Sequence, residues 1–518
     1  MADQSSVKES NAPLPIPPEV HAKRWWILLV LCTNLILVVA ANAGLVVGLP
    51  SIARQLGASQ TQLQWLVDVF IMAFAGSLMP MGAVGDRFGR KRALLIGLAI
   101  YAITSLAAQF ATGVEHLFVI RGLMGVAAGL VMPATLSLIT TAFVGRERNL
   151  AVAIWSGCAG AGAGIGLLMS GSLLLYFDWN SIFLANVPIA LVGLGLGSIL
   201  LVESKDPESR AIDWIGSVLV VLALWSTLFG IIELPIYGFF NPAIMGSGVI
   251  ALVLWGLFVL RSRHTSTPLV EVEWFRDRRF SVGSFSIALM FFALMGWFFL
   301  STQLFQYVFG MTPFEAAFAG ITLSIVQVVF AQFSARWVDL FGTRIAVMMG
   351  MILVVFGLTT ASFFTTPEAP FWPFIVAQIF IGLGLPWASS PATSVVLESL
   401  PPSRIGAGSA VNGTVREIGA ALGVAVIGSI ATSVYRAQVP VGGLSPEATA
   451  LAKTSLAGAL SVADQTPNAQ AFIHAARLAF GESFRISLLA GSCILCIAIV
   501  MVLTIGFTPR EDVSPEDG

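Results

Sequence analysis

Long apolar runs separated by short polar segments form the pattern of this chain. Each run can cross a bilayer as a helix, since about 20 apolar residues rising roughly 1.5 Å each span a hydrocarbon core about 30 Å thick. The strands of a transmembrane barrel would instead alternate apolar and polar residues. The pattern predicts an all-α polytopic membrane protein with fourteen spans, beginning near Trp25, Leu63, Ala93, His116, Leu150, Ser181, Trp214, Pro242, Phe280, Pro313, Arg344, Phe371, Gly406 and Arg485.

Composition and charge agree with this prediction. The chain of 518 residues is 57% hydrophobic and only 11% charged, which does not suit a water-soluble protein. About 20 Lys and Arg residues fall on the side of the N-terminus and about 5 on the other side, so we expect both termini in the cytoplasm. The basic residues are dispersed as topology signals, and the net charge of -1 gives no reason to expect a nucleic-acid partner.

Two copies of a loop motif lie at corresponding places in the chain. GAVGDRFGRKRAL, residues 82–94, follows the second predicted span, and ARWVDLFGTR, residues 335–344, follows the tenth. In both, a small residue is followed four positions later by Asp and seven positions later by Gly, and then by Arg. The repeat predicts two six-helix halves with two inserted spans between them. Such halves are common in secondary transporters, whose central site lies between them at mid-membrane depth.

The predicted divisions follow from this repeat. They are a mobile cytoplasmic tail at 1–24, an N-terminal six-helix bundle at 25–202, two inserted spans with cytoplasmic linkers at 203–278, a C-terminal six-helix bundle at 279–508 and a cytoplasmic tail at 509–518. The C-terminal bundle includes a long polar stretch at about 436–482, which we expect to form a helical hairpin over the external mouth.

The chemistry of the repeated loop suits a moving interface. Gly permits close approach of helices, Asp at a helix end pairs with a cation or caps a neighbouring helix, and Arg binds carbonyls or carboxylates. The alternative is a plain positive-inside loop, which accounts for the basic residues but not for the spacing or the second copy. We predict a gating role for Gly82, Asp86, Arg87, Gly89, Arg90, Arg92, Asp339, Gly342 and Arg344.

These motifs resemble a known family of transporters. GAVGDRFGRKRAL is similar to the signature loop of the major facilitator superfamily. QWLVDVF at 64–70, IFLANVPIAL at 182–191 and PPSRIGAGSAVNGTVREIGAALGVAV at 401–426 resemble its fourteen-span drug:proton antiporter branch, in particular the quaternary-ammonium and methyl-viologen efflux pumps. The resemblance implies proton-coupled efflux of amphipathic drugs across the inner membrane, with antibiotic resistance as a consequence. It implies no cofactor beyond the proton gradient.

Ionisable side chains within spans are costly and are functional candidates by default. Asp68 lies in the second span and Glu417 in the thirteenth, where the resembling pumps carry an acid thought to bind protons. The alternatives are a helix-to-helix hydrogen bond for Asp68 and an ion pair with Arg416 for Glu417. Arg121, in the fourth span, resembles the family's Arg-centred motif and is the predicted counter-charge. The predicted proton-coupling residues are therefore Asp68, Arg121, Arg416 and Glu417, whereas Glu233 and Glu398 lie near span ends without a special role.

Amide and aromatic side chains inside the spans are the candidates for contact with a substrate. Drug-sized pockets are mostly apolar with a few placed polar groups. For any single aromatic residue, packing or lipid contact is the alternative. The candidates are Asn42, Gln64, Trp65, Trp155, Asn186, Gln303, Gln306, Gln327, Gln378, Trp387 and Asn412.

The chain also departs from the resembling antiporters. Ala41 replaces an expected first-span Asp, Leu167 replaces the proline of a Gly-Pro pair, and Met124 replaces a Gln. These changes keep open a second hypothesis, an exporter of lipids or lipophilic molecules or an uncoupled facilitator. A third hypothesis is a sensor that does not transport.

Other classes of function lack a motif in this sequence. There is no phosphate loop, nucleophile triad or metal-ligand cluster, so we expect neither an enzyme nor a metal protein. Cys493 and Cys496 have CxxC spacing within an apolar run, where packing is the expected role. We expect a monomer whose partners are the bilayer, protons and an amphipathic small molecule.

Overall fold

The computed structural model describes residues 18–205, 212–400 and 405–506, and within them it contains fourteen helices long and apolar enough to cross a membrane. A single turn, Ser181–Leu184, precedes the sixth of these helices. We number them α1 Pro18–Leu56, α2 Gln60–Phe88, α3 Arg90–Ala107, α4 Val114–Ala142, α5 Gly145–Leu173, α6 Asn186–Leu200, α7 Trp214–Tyr237, α8 Pro242–His264, α9 Arg278–Tyr307, α10 Pro313–Ala331, α11 Thr343–Ser362, α12 Trp372–Glu398, α13 Ile405–Gln438 and α14 Ala469–Thr504.

Two helix starts differ from the sequence prediction. Helix α1 begins at Pro18, so the last residues of the predicted tail are helical, while 1–17 lie outside the described residues. Helix α14 begins at Ala469 rather than near Arg485. The segment before it holds two short helices, Pro446–Thr454 and Leu456–Ser461, instead of a hairpin that continues to 482. The hydropathy pattern placed α14 too late because its first turns are amphipathic.

Local sequence signals fix several helix starts. Ser59 and Gln62 form a capping box at the start of α2, and Thr312 and Glu315 form one at the start of α10. In each box a hydroxyl accepts from the backbone N–H three residues later, and the long side chain accepts from the cap's own N–H. The Asp213 carboxylate caps α7 in a similar way. These caps satisfy N–H groups that have no partner within the helix.

The helices pack as two halves with two inserted helices. In the N-terminal half α1 packs on α4, α5 and α6, and α2 packs on α4. In the C-terminal half α9 packs on α12, α13 and α14, and α11 packs on α12 and α14. Helices α7 and α8 pack on each other, and α7 also reaches both halves. We call the face that carries residues 439–468 the outer face, a name that follows the predicted orientation.

Within the described residues, the halves meet chiefly along three helix pairs, α2 with α13, α5 with α10 and α1 with α9, and α1 makes smaller contacts with α10 and the short helix Leu456–Ser461. Small residues permit these approaches in the membrane. A Cβ atom at Gly171 on α5 would lie 2.7 Å from Ala317 Cβ on α10, and one at Gly164 would lie 3.4 Å from Ile321. Gly166 packs against Ala40 of α1. The glycines of α5 thus permit close packing on two helices, α1 and α10.

Candidate transport site between the two halves

Helices α2 and α13 run antiparallel along the seam between the halves. The Gln64 side chain lies against Gly428 near the outer face, and Leu78 lies against Gly413 deeper in the membrane. These two contacts set the register of the pair. On α2, positions 64, 68, 75 and 78 share one stripe, because residues four apart on a helix differ by only about 40° in direction.

Asp68 lies on the stripe of α2 that faces this seam. Its side chain is fully buried, and within the described residues neither carboxylate oxygen has a hydrogen-bond partner. The register places Asp68 opposite Val424 of α13. In this conformation Asp68 therefore does not make the helix-to-helix hydrogen bond that the sequence left as an alternative. A polar group buried without a partner is costly, which marks Asp68 as a functional candidate.

Glu417 lies on the matching stripe of α13, which also carries Gly413 and Gly428. The register places it opposite Ala75, about two helical turns or roughly 10 Å deeper than Asp68. Glu417 is half-buried. Arg416 points away from the seam, in agreement with the 100° between helical neighbours, and its guanidinium carbon lies 4.3 Å from the Phe291 ring centre on α9. The two carboxylates therefore share the seam, and Arg416 does not.

Arg121 is fully buried inside the N-terminal half. Its Nε donates to the Leu66 carbonyl at 3.1 Å, its Nη2 donates to Asn42 Oδ1 at 2.8 Å, and its guanidinium carbon lies 4.2 Å from the Phe70 ring centre. Leu66 and Phe70 lie on the face of α2 opposite Asp68. In this conformation the predicted counter-charge binds α1 and α2 and is not a hydrogen-bond partner of Asp68.

Hydrogen bonds close the outer end of the seam. In the described part of the chain four side-chain hydrogen bonds join the halves there. Thr302 donates to the Val46 carbonyl at 3.0 Å and Tyr307 to the Pro50 carbonyl at 2.9 Å, both from α9 to α1. The other two join Gln306 to the Val47 carbonyl at 2.9 Å and Gln64 to Thr432 at 3.4 Å. Two predicted substrate contacts, Gln64 and Gln306, thus close the outer mouth.

At the inner side, the described parts of α4 and α12 pack mainly within their own halves. Helix α4 packs on α1, α2, α3 and α5, and α12 packs on α9, α10, α11 and α13, so each stays within its own half. Trp155 on α5 and Gln327 on α10 are half-buried, and Asn412 on α13 has a carbonyl oxygen without a hydrogen-bond partner. These residues lie on helices of the seams, and Trp155 donates to Thr135 of α4 at 3.2 Å. Their contact with a substrate stays a prediction.

The remaining substrate candidates lie elsewhere. Gln303 donates to the Phe299 carbonyl of its own helix, and Asn186 lies buried on α6, which packs on α1 and α3. Gln378 is fully buried on α12. The Trp387 ring packs at a tilt of 37° against that of Trp337, with ring centres 4.3 Å apart, next to the second copy of the repeated loop.

The first repeated loop is held by contacts within its own half. Arg90 Nε lies 2.8 Å from Asp86, and the Glu203 carboxylate accepts from the backbone N–H groups of Lys91 and Arg92 at the start of α3. Gly89 has φ of 126°, a conformation that favours glycine. In the conformation closed at the outer face, the predicted gating residues Asp86 and Arg90 therefore bond each other.

The second loop is also held locally. Arg344 donates through Nε to the Val502 carbonyl at 3.2 Å and through Nη2 to the Leu503 carbonyl, at the end of α14. Gly342 has φ of 78° and lets the chain turn from the short helix Ser334–Phe341 into α11. Asp339 is exposed, and the side chain of Ala335 lies outside the described residues.

An ion pair ties the inner ends of α1 and α5. Arg24 donates to both oxygens of Glu147, at 2.9 and 3.1 Å. Glu147 precedes the membrane-crossing stretch Leu150–Leu173. The hydrogen bond from Arg24 holds the pKa of the Glu147 carboxyl below its usual range, so the pair is present at neutral pH and is lost only as pH falls through that lowered value.

Sequence reasoning missed several residues of the seam. Glu233, set aside as a span-end residue, accepts a hydrogen bond from Trp65 Nε1 at 2.9 Å on the inserted helix α7. Tyr307, Thr302 and Thr432 close the outer mouth. The acidic side chain of Glu233 within a predicted span was a usable signal. The hydroxyl groups carried none, because such groups also bond within their own helix.

The fold and the central seam define a class of protein, a two-bundle membrane transporter. The chain belongs to the Major Facilitator Superfamily, whose family model matches residues 31–300 and 280–508. This confirms the resemblance and the all-α fold class predicted from the sequence, and it makes the protein a multi-pass membrane transporter rather than an enzyme.

Relatives match almost the whole chain. The multidrug efflux pump LfrA of Mycolicibacterium smegmatis is 32% identical, over 94% of this chain and 97% of the relative. The methyl viologen resistance protein SmvA of Salmonella typhimurium is 29% identical, over 94% of this chain and 100% of the relative. Among solved structures, a bacterial homologue of the human lysosomal transporter Spinster, inward-facing and unoccupied, has the same fold, with a TM-score of 0.65, 18% identity and coverage of 94% and 99% of the two chains.

Proposed function

We propose that this protein exports amphipathic drugs across the cytoplasmic membrane in exchange for protons, by alternating access between its two halves, with both termini in the cytoplasm. The observation that carries the proposal is the position of Asp68 and Glu417 on the facing stripes of α2 and α13. These acids lie where the halves must separate. Similarity to LfrA and SmvA, named for multidrug efflux and methyl viologen resistance, supports drugs as the substrate class.

Asp68 and Glu417 differ in their access to water along the seam. In the conformation closed at the outer face, Asp68 is sealed, whereas Glu417 is half-buried and lies nearer the inner face. When the outer hydrogen bonds open, Asp68 meets external water and takes up a proton. When the outer mouth closes again, the proton passes along the seam by way of Glu417 and is released at the inner side. Arg121 holds α1 and α2 together behind Asp68 and sets the local charge balance.

Substitution of the two acids tests proton coupling. In the variant D68N/E417Q, efflux driven by a pH gradient in inverted vesicles should fall to the level of vesicles without the protein, because neither side chain can bind and release a proton. E398Q is the matched control, since Glu398 is exposed at the end of α12, and it should transport normally. Undiminished gradient-driven efflux by D68N/E417Q would contradict the assignment.

A second candidate is an uncoupled exporter of lipophilic molecules with the same fold. The observation in its favour is Leu167, which replaces the antiporters' proline and packs with Val47 and Ala317 in a small apolar cluster between the halves. Substrate-induced proton release from the purified protein in detergent would count against it. Because Ala41 leaves the first span without an acid, we also expect weaker resistance to dications than to neutral or monovalent amphiphiles.

A further inference from the structure

The inserted helix α7 touches both halves at the seam that holds Asp68. On the side of the N-terminal half, Trp65 Nε1 donates to Glu233 Oε1 at 2.9 Å. On the side of the C-terminal half, Ser429 Oγ donates to the Ile231 carbonyl at 2.8 Å. Helix α7 is therefore part of the junction and not merely a connection between two bundles.

Helix α7 contacts α2 along much of its length. The Trp65 ring centre lies 5.5 Å from that of Trp225 and 6.3 Å from that of Phe229. About three turns deeper, a Cβ atom at Gly76 would lie 3.5 Å from Val221 Cβ. The two helices thus stay in close contact over roughly 16 Å, and α7 also packs on α13 of the C-terminal half.

Asp68 lies in the groove that α7 covers. The contacts at Trp65 and Gly76 set an antiparallel register that puts Asp68 at the level of Leu228, which is fully buried on α7. On α2, Asp68 points between the stripe that faces α13 and the stripe that faces α7. Helix α8 lies farther out, with Leu252 among its exposed side chains. Helix α7 therefore separates the Asp68 carboxyl from the lipid.

Glu233 lies four residues before the outer end of α7 and is half-buried. It accepts the indole N–H of Trp65, a donor that also needs a partner when it is buried in an apolar environment. The pair satisfies both groups and fixes the rotation and depth of α7 against α2. A hydrogen bond of this kind requires only an acceptor oxygen, which an amide can supply equally well.

We propose that α7 is the lateral wall of the Asp68 site and that Glu233 is the positioning residue that anchors α7 to α2 by accepting from Trp65. The inference rests on the proposed function only for the role of Asp68 as a proton site. The wall keeps water and lipid head groups from reaching the carboxyl through the side of the seam.

A disulfide between α2 and α7 tests the attachment. The separation at Gly76 and Val221 suits a disulfide, so G76C/V221C is made in a chain whose native cysteines at 32, 158, 493 and 496 are replaced by serine. We expect the oxidised variant to retain drug efflux within about twofold of its reduced form. Loss of efflux on oxidation, recovered by a reductant, would show that α7 must leave α2 during transport and would overturn the inference.

Proton leak tests the anchor. In proteoliposomes without drug, E233L removes the acceptor and should raise the proton leak about threefold, the effect expected for one lost interhelical hydrogen bond. E233Q retains an acceptor oxygen and should leak like the original protein. W65F, which removes the indole N–H, should behave like E233L and serves in its place if E233L fails to insert. Equal leak from E233L and E233Q, or no increase from E233L and W65F, would overturn the anchoring role.

Combination with D68N separates this inference from the proposed function. If both are correct, D68N abolishes the additional leak of E233L. A leak that persists in D68N/E233L would argue against Asp68 as the proton site, and hence against the proposed function. A normal leak in E233L, together with loss of gradient-driven efflux in D68N, would overturn the wall and leave the proposed function in place.

Discussion

At the scale of single residues, buried polar groups differ in whether the fold gives them partners. Asn42 accepts from Arg121, which itself bonds the Leu66 carbonyl and covers the Phe70 ring. Asn34, on the same helix, is fully buried, and both polar atoms of its amide lack hydrogen-bond partners among the described residues. The first arrangement stabilises the N-terminal half, whereas the second costs the desolvation of an amide.

Paired alanine substitutions test this difference. N42A leaves a buried guanidinium donor without an acceptor and should destabilise the purified protein by about 1–3 kcal/mol. N34A removes an amide without a partner, so it should destabilise the protein less. Thermal unfolding in detergent measures both variants under the same conditions. A lower melting temperature for N34A than for N42A would contradict this account of the Arg121 cluster.

At the scale of helices, two glycines on α13 permit close contact with different helices, α9 and α2. A Cβ atom at Gly423 would lie 2.2 Å from the Phe292 carbonyl oxygen, inside the C-terminal half. A Cβ atom at Gly428 would lie 2.3 Å from Gln64 Nε2, across the seam between the halves. The first neighbour is rigid backbone, and the second is a side chain that moves away when the outer mouth opens.

G423A and G428A should therefore have different effects. G423A forces α9 and α13 apart and should lower stability by about 1–3 kcal/mol. G428A should leave the melting temperature nearly unchanged and favour the conformation open at the outer face. The second effect is read from faster labelling of a cysteine at Thr432 by an impermeant maleimide. Equal losses of stability in the two variants would count against the division into halves at this seam.

At the scale of the molecule, the hydrogen bonds at the outer ends of α1, α2, α9 and α13 hold one mouth shut. Alternating access requires these bonds to break once in every cycle, and the first and second repeated loops are free to bond locally meanwhile. The closure is therefore the feature that distinguishes this conformation from the one that opens outward.

Covalent closure of the outer mouth should stop transport. The Cβ position at Gly428 lies 2.9 Å from Gln64 Cγ, so Q64C/G428C brings two cysteines within reach of a disulfide. Oxidation in the background without native cysteines should reduce efflux to the level of vesicles without the protein, and a reductant should restore it. Retained efflux in the oxidised, fully cross-linked protein would refute alternating access through this seam.

The sequence by itself determined the fourteen spans, the two repeated halves and the intramembrane ionisable residues Asp68, Arg121 and Glu417. Continuous apolar runs and a repeated motif carry that information along the chain. Helical periodicity also explains why Arg416 and Glu417 point in different directions. The start of α14 was misplaced because its first turns are amphipathic and dilute the hydropathy signal.

Only the tertiary structure decided which side chains meet across the seam. It placed Asp68 and Glu417 on facing helices, turned Arg121 toward Asn42, and gave Gln64 and Gln306 hydrogen bonds in the outer closure. It also gave Glu233 a partner on α2. The physical reason is that such contacts depend on the rotation and depth of each helix against its neighbours, which packing sets and local sequence does not.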